Sequence, residues 1–165
     1  MSEQHVRKFR DLVARFLEPG EEILDIAPIQ PTRGASVSGY GMTRVVGEAI
    51  AGIGAVKGGP GSIAASFPDA PGIAAKLLCA TDRRALFVLA PSTHSAEREA
   101  KGLSPAPRLL WAVPRSYVAG VERRPRLQMM AKLRLHFVDG SSVSVMTMRR
   151  GTIESLAGVL GGHQK

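Results

Sequence analysis

The segment KLRLHFVDGSSVSVMT, residues 132–147, holds the clearest structural signal in the chain. Its first half alternates between apolar residues at positions 133, 135 and 137 and polar residues at positions 132, 134 and 136. A period of two is that of a β-strand with one buried and one exposed face. The Asp-Gly pair at positions 139–140 marks a turn, so the segment predicts a β-hairpin.

The register of this hairpin follows from its apolar residues. A two-residue Asp-Gly turn would set apolar residues opposite serines, because a slip of one residue exchanges the two faces of a strand. A three-residue loop over positions 138–140 instead pairs Leu135 with Val143 and Leu133 with Val145. We therefore predict the three-residue loop, with its final glycine in the left-handed conformation of a bulged turn.

Further strands and two helices are predicted outside the hairpin. Five earlier segments have strand character: residues 22–27, 76–80, 85–90, 109–113 and 117–123. From about Glu3 to Leu17, apolar residues recur at helical spacing, and we expect this stripe to pack on the domain core or on a partner chain. Its basic opposite face leaves open a position on a membrane surface. Thr152 to Leu160 predicts a short final helix, with Thr152 as its N-cap.

The length of 165 residues is that of one domain. We expect residues 1–20 to form the N-terminal amphipathic helix and residues 21–165 to form the domain. A glycine-rich insertion covers about 29–74, which holds 10 of the 18 glycines. A fully structureless connection of that length is unusual, so we expect it to be partly ordered. Its middle, residues 42–57, has small residues every fourth position and forms a helix only if it docks on another surface.

Three short strings have counterparts in a known family. They are Thr81-Asp82-Arg83-Arg84, the seven-residue string LWAVPRS at 110–116, and Val138-Asp139-Gly140-Ser141. Together with seven strands followed by a helix, they resemble small bacterial pleckstrin-homology-like (PH-like) domain proteins over residues 76–160. The resemblance implies a mainly β, α+β fold: a seven-stranded antiparallel barrel or sandwich capped by a C-terminal helix. The N-terminal helix is an addition to that pattern.

The same resemblance implies a binding module without enzymatic activity. PH domains that bind phosphoinositides cluster lysines and arginines around the first hairpin. Here the corresponding region carries only Arg33, Arg44 and Lys57, which are far apart. The resemblance therefore brings no phosphoinositide-binding residues to this chain.

The positive charge of the chain is confined to its last third. The net charge is +8, and residues 101–165 hold 11 basic and 3 acidic side chains. The candidate residues for binding an anion or a partner are Arg123, Arg124, Arg126, Lys132, Arg134, Arg149 and Arg150. Such cations attract an acidic protein or an anionic membrane, or simply keep a surface soluble. Nucleic acid is disfavoured, because aromatic residues that could stack on bases make up only 5% of the chain.

The sequence offers little for catalysis or metal binding. The histidines, His5, His94, His136 and His163, lack the paired spacing of zinc sites. Cys79 lies in an apolar run and is expected in the core, while Asp82 and Asp139 are expected to bond their own backbone in turns. We therefore predict no catalytic residue, metal or cofactor, and disfavour a small-molecule substrate. An enzyme would need two or more of Asp82, Glu122, Arg134 and His136 around one deep pocket.

These observations give two hypotheses about function. The first is a PH-like binding or scaffold module that acts through protein–protein contacts, self-association included. The alternative is a peripheral membrane adaptor that binds anionic lipid through the basic C-terminal third. No run reaches the ~18 apolar residues of a membrane-spanning helix, and the charged N-terminus is not a secretory signal. We expect a cytoplasmic protein, with membrane association as part of the alternative.

Overall fold

The computed structural model describes residues 3–31, 56–68, 75–90, 106–124, 131–147 and 150–161. The strands are β1 (Ile23–Pro31), β2 (Val56–Lys57), β3 (Ala75–Thr81), β4 (Arg84–Ala90), β5 (Arg108–Pro114), β6 (Val118–Arg124), β7 (Ala131–Phe137) and β8 (Ser142–Thr147). The helices are α1 (Glu3–Ala14), α2 (Arg150–Gly161) and the short 3₁₀ helices η1 (Ala64–Ser66) and η2 (Arg115–Tyr117). The mainly β, α+β class predicted from the sequence is confirmed.

The strands form two antiparallel sheets that share β1. In the first sheet the order is β5–β4–β3–β1, and in the second it is β8–β7–β6. The end of β1 crosses to the second sheet, where Gln30 and Pro31 pair with Met146 and Val145, and β2 also pairs with β8. Among the described strands β5 and β6 are not paired, so the sheets do not close into a barrel.

The predicted hairpin register is confirmed. Leu133 pairs with Val145 and Leu135 with Val143, around a loop of residues 138–140. Gly140 has a φ of +78°, the left-handed conformation that glycine adopts without steric cost. All seven predicted strands are present. β2 is an eighth strand, and its two residues are too few to show a pattern from which it could be predicted.

The main core lies between the sheets and is capped by α2. Phe87 and Leu78 from the first sheet face Leu135 from the second, and Leu156 of α2 is buried in the same cluster. The helix begins at Arg150, two residues before the predicted start, so the N-cap prediction for Thr152 is wrong. Threonine suits the first turn of a helix as well as its cap, and its presence therefore does not fix the first helical residue.

A second cluster lies on the outer face of the first sheet, beneath α1. Phe9 and Val13 of the helix are buried against residues of three strands: Ile26, Leu77, Cys79, Leu86, Val88 and Ala90. The prediction that the helix packs its apolar stripe on the domain core is confirmed for these two residues. The helix ends at Ala14, somewhat before the predicted Leu17.

The linker from α1 to β1 is tied to the β3–β4 hairpin by the buried carboxylate of Glu21. Arg84 donates to its two oxygens at 3.0 Å and 2.5 Å, and the Thr81 hydroxyl donates at 2.6 Å. The hydrogen bonds from Arg84 are the largest cause that lowers the pKa of Glu21 from 4.5 to about 2. Arg84 also lies 3.2 Å from the exposed carboxylate of Glu18. This group of contacts, the Glu21 latch, holds the linker that precedes the first sheet.

The glycine-rich insertion is ordered over residues 56–68, which dock at the end of the second sheet. Phe67 enters the main core, where its ring stacks on Phe87 at 4.9 Å and meets Trp111 edge-on at 5.1 Å. The Ser141 hydroxyl accepts a hydrogen bond from the Ala64 N–H at 3.0 Å. Residues 56–68 of the insertion are thus packed on the domain.

The helix considered for residues 42–57 falls mostly outside the described residues. Its last two positions, Val56 and Lys57, form β2 and not a helix.

Candidate partner-binding surface

The predicted basic residues do not all share one surface. Lys132 and Arg134 alternate with the buried Leu133 and Leu135, and so lie on the outer face of the second sheet. Arg123 pairs with Leu133 in the register of β6 and β7. Directly paired residues share a face, so exposed Arg123 belongs to the opposite side of the sheet from Lys132.

For two of the remaining predicted residues, Arg124 and Arg150, only the position in the backbone is described. Arg124 is paired with Lys132 through the backbone, and Arg150 is the first residue of α2. Arg126 and Arg149 lie outside the described residues.

Lys132, Arg134 and His136 form a line along β7, which we call the basic row. Alternate residues of a strand are ~6.6 Å apart, so the row presents polar side chains at that interval. The Arg134 Nε donates to the Ser144 Oγ at 2.9 Å. The His136 Nε2 lies 3.3 Å from a carboxylate oxygen of Glu122. Arg134 and His136 are thus held by neighbours on the two flanking strands.

One neighbouring cation was missed by sequence reasoning. β2 pairs with β8 so that Lys57 stands opposite Ser142, and Ser142 stands opposite His136. Lys57 is exposed and lies in the cross-strand row that contains His136. Because Lys57 and Ser142 are far apart in the sequence, no local pattern could have indicated this placement.

Two exposed apolar side chains adjoin the end of the basic row. Val138, in the hairpin loop, is 60% exposed, and Tyr117 at the end of η2 is 46% exposed. The Val138 N–H donates to the Tyr117 carbonyl at 3.0 Å, which places the two residues side by side. Val138 is the first residue after β7, so these two apolar side chains lie next to the end of the strand that carries the basic row.

The turn aspartates have wider contacts than the sequence predicted. Asp139 accepts from the Ser141 N–H at 2.9 Å, as expected for a turn, and also from the Ile63 N–H at 2.7 Å. The Ser141 hydroxyl is the largest cause that lowers the pKa of Asp139. Asp82 accepts from the backbone of Glu22 at 2.9 Å, so its bond ties two segments together. Both aspartates thus serve the fold.

The groups considered for catalysis have structural or surface positions. Cys79 is fully buried, and burial chiefly raises the pKa of its thiol to about 12, which removes it as a nucleophile. Glu122 and His136 are on the outer sheet face with side chains 39% and 43% exposed. Within the ranges given above, no group of three or more potential metal ligands comes together.

Comparison with known proteins gives no relative: no protein-family model, no curated protein and no solved structure matches the chain. None of the helices in the described part of the chain is long and apolar enough to cross a membrane.

Proposed function

We propose that this chain is a non-enzymatic PH-like module that binds a protein partner through the basic row. The PH-like assignment is supported by seven antiparallel strands in the predicted order, followed by a helix that packs on β6 and β1. It is also supported by the three family-like strings: two lie at turns, and LWAVPRS covers the end of β5 and the start of η2. Thr81 and Arg84 contribute to the Glu21 latch, and Ser141 docks the ordered part of the insertion.

The observation that carries the binding proposal is the difference between the outer faces of the two sheets. On the first sheet, α1 covers the outer face and buries it. On the second sheet, the outer face carries Lys132, Arg134 and His136, none of which is fully buried. Among the described residues no helix lies over the basic row, and a sheet face with partly exposed cations is suited to contact another molecule.

Two features favour a protein over a membrane as that molecule. Arg134 is held by Ser144, which orients its guanidinium, and oriented donors select a partner of matching shape. The carboxylate of Glu122 lies on the same face, opposite Arg134 in the register. A flat anionic leaflet meets every charge of the face, so Glu122 weakens its attraction, whereas an acidic protein surface can place its charges beside Lys132 and Arg134.

The experiment compares two charge reversals with identical effect on net charge. Lys132→Glu changes the basic row, and Arg123→Glu changes the other side of the same sheet. Affinity capture from an extract of cells that contain the protein should recover a partner with the wild type and with R123E, and lose it with K132E. Equal recovery by all three proteins, or equal loss in both variants, would overturn the proposal. Sedimentation at rising concentration shows whether a second copy of the chain is that partner.

The peripheral membrane adaptor remains the second candidate, favoured by the position of exposed Lys57 beside the basic row. Clustered cations gain about 1 kcal/mol each near an anionic leaflet. Flotation with phosphatidylglycerol vesicles at low salt tests this function. If K132E and R123E lose vesicle binding equally, the attraction depends on net charge. If the wild type does not bind the vesicles, the adaptor function is eliminated.

A further inference from the structure

We infer that the basic row and its apolar end form a single linear binding surface, the track, for an extended acidic segment of a partner protein, and that this segment carries an apolar residue at one end. This inference rests on the proposed function and names the chemistry of the partner. The track consists of Lys132, Arg134 and His136, followed by Val138 with Tyr117 beside it.

The length and spacing of the track suit an extended segment. Lys132 to Phe137 cover ~17 Å in β7, and Val138 in the following loop extends the track to at most ~20 Å. Side chains on one face of an extended partner recur every ~6.6 Å, the same interval as the residues of the basic row. Carboxylates at that interval would meet Lys132 and Arg134 in turn.

The apolar end gives the track a direction. Val138 and Tyr117 are exposed at 60% and 46%, and their backbones are joined by the hydrogen bond from the Val138 N–H. Burying such a pair against an apolar partner side chain removes apolar surface from water. Tyrosine is also among the residues enriched at the energetic centres of protein interfaces. A segment with acidic residues and one apolar end is thereby fixed in position as well as attracted.

Charge complementarity decides the class of occupant. The described cations of this face are Lys57, Lys132 and Arg134, against the single carboxylate of Glu122 among its described residues. An acidic segment complements this distribution, while a basic or neutral segment does not. Steering by such charge raises association rates, and the apolar end slows dissociation.

The test uses labelled peptides and fluorescence anisotropy on the full chain. One probe is a peptide of about eight glutamates, long enough to cover the ~20 Å track. The others carry leucines at the amino end or at the carboxyl end. We expect one leucine-ended peptide to bind about tenfold more tightly than the all-glutamate peptide, since an aliphatic side chain becomes buried. We expect Val138→Ser to remove most of that gain and to leave the affinity for the all-glutamate peptide unchanged.

The control is Leu24→Ser, which alters an apolar residue that is 40% exposed on β1, in the other sheet. L24S should bind every peptide as the wild type does, and K132E should weaken all of them. Equal affinity of V138S and the wild type for the leucine-ended peptides would overturn the inference. Failure of every peptide to bind would also overturn the inference. If partner capture is still lost in K132E in that case, the proposed function is unaffected. If phosphatidylglycerol vesicles bind the wild type but neither V138S nor K132E, and no peptide binds, the track contacts a membrane instead.

Discussion

The two sheets are built from the same antiparallel ladder but use their outer faces in opposite ways. The strands β3 and β4 are apolar on both faces, because one face meets the main core and the other meets α1. In β7 the apolar residues face the core only, and the outer face bears the basic row. A continuous apolar run therefore marks strands buried between two layers, and the alternation of β7 marks a strand with a partly exposed face. In β8, which also alternates, Ser142 and Ser144 are buried as well.

The largest expected effect comes from placing a charge on the buried outer face of the first sheet, and its counterpart removes a charge from the outer face of the second. Leu86→Lys puts an ammonium group beneath α1, among the apolar side chains of the second cluster. We expect a loss of more than about 5 kcal/mol in the free energy of unfolding, enough to leave little folded protein. Lys132→Leu, the reverse exchange on the second sheet, should change stability by less than about 0.5 kcal/mol. Urea unfolding measures both, and a folded L86K of wild-type stability would show that α1 does not bury this face.

The next effect concerns the latch that precedes the first sheet. Glu21→Gln keeps the shape of the side chain but removes the charge that Arg84 contacts, and we expect a loss of about 3 kcal/mol at neutral pH. Glu18→Gln is the matched control, because Glu18 also contacts Arg84 but is exposed, and should cost less than about 0.5 kcal/mol. If the urea midpoints of E21Q and E18Q fall by the same amount, the role given to Glu21 is contradicted.

The latch also predicts a pH dependence with a definite sign. The pKa of Glu21 is lowered to about 2 in the folded protein, from an ordinary value of 4.5. The ionised carboxylate therefore stabilises the fold fully above pH ~4.5, and this contribution is lost as the pH falls toward ~2. The stability of the wild type should fall more steeply over that range than the stability of E21Q, as followed by urea unfolding at each pH. Parallel curves would contradict this.

The smallest expected effect on stability is at the docked segment on the second sheet. A Cβ added at Gly58 would lie 2.3 Å from the Ser62 Oγ and 2.8 Å from the Ser141 Cβ. At Gly59 it would meet no atom within 4 Å. We expect Gly58→Ala to cost about 2 kcal/mol through this overpacking and through the strain of a φ of +150°, and Gly59→Ala to be close to neutral. If thermal unfolding shifts equally in both variants, residues 56–68 do not pack on the hairpin as described.

The sequence allowed good prediction of what is local. The register of the final hairpin followed from the apolar residues at 133, 135, 143 and 145, because only one alignment puts them on a common face. The stripe of α1 likewise identified its buried side. The start of α2 was misplaced because a threonine near a helix start fits more than one position of the first turn.

Long-range pairing was beyond prediction. The bonds between Glu21 and Arg84, and the pairing of Lys57 with Ser142, join residues more than 60 positions apart, and no local period marks such contacts. The division of the basic residues between two faces was partly accessible, since neighbours such as Arg123 and Arg124 must alternate in a strand. That alternation alone does not say which of the two shares a face with Lys132, because a register shift lies within β6.

The central claim is that position on the outer face of the second sheet, and not net charge, determines binding. It is tested most directly by the dissociation constants of the K132E and R123E variants for the leucine-ended glutamate peptide at one fixed salt concentration. We predict a value about tenfold weaker for K132E and close to that of the wild type for R123E, because only the first reversal lies on the basic row. Equal weakening in the two variants, or none in either, would contradict the account.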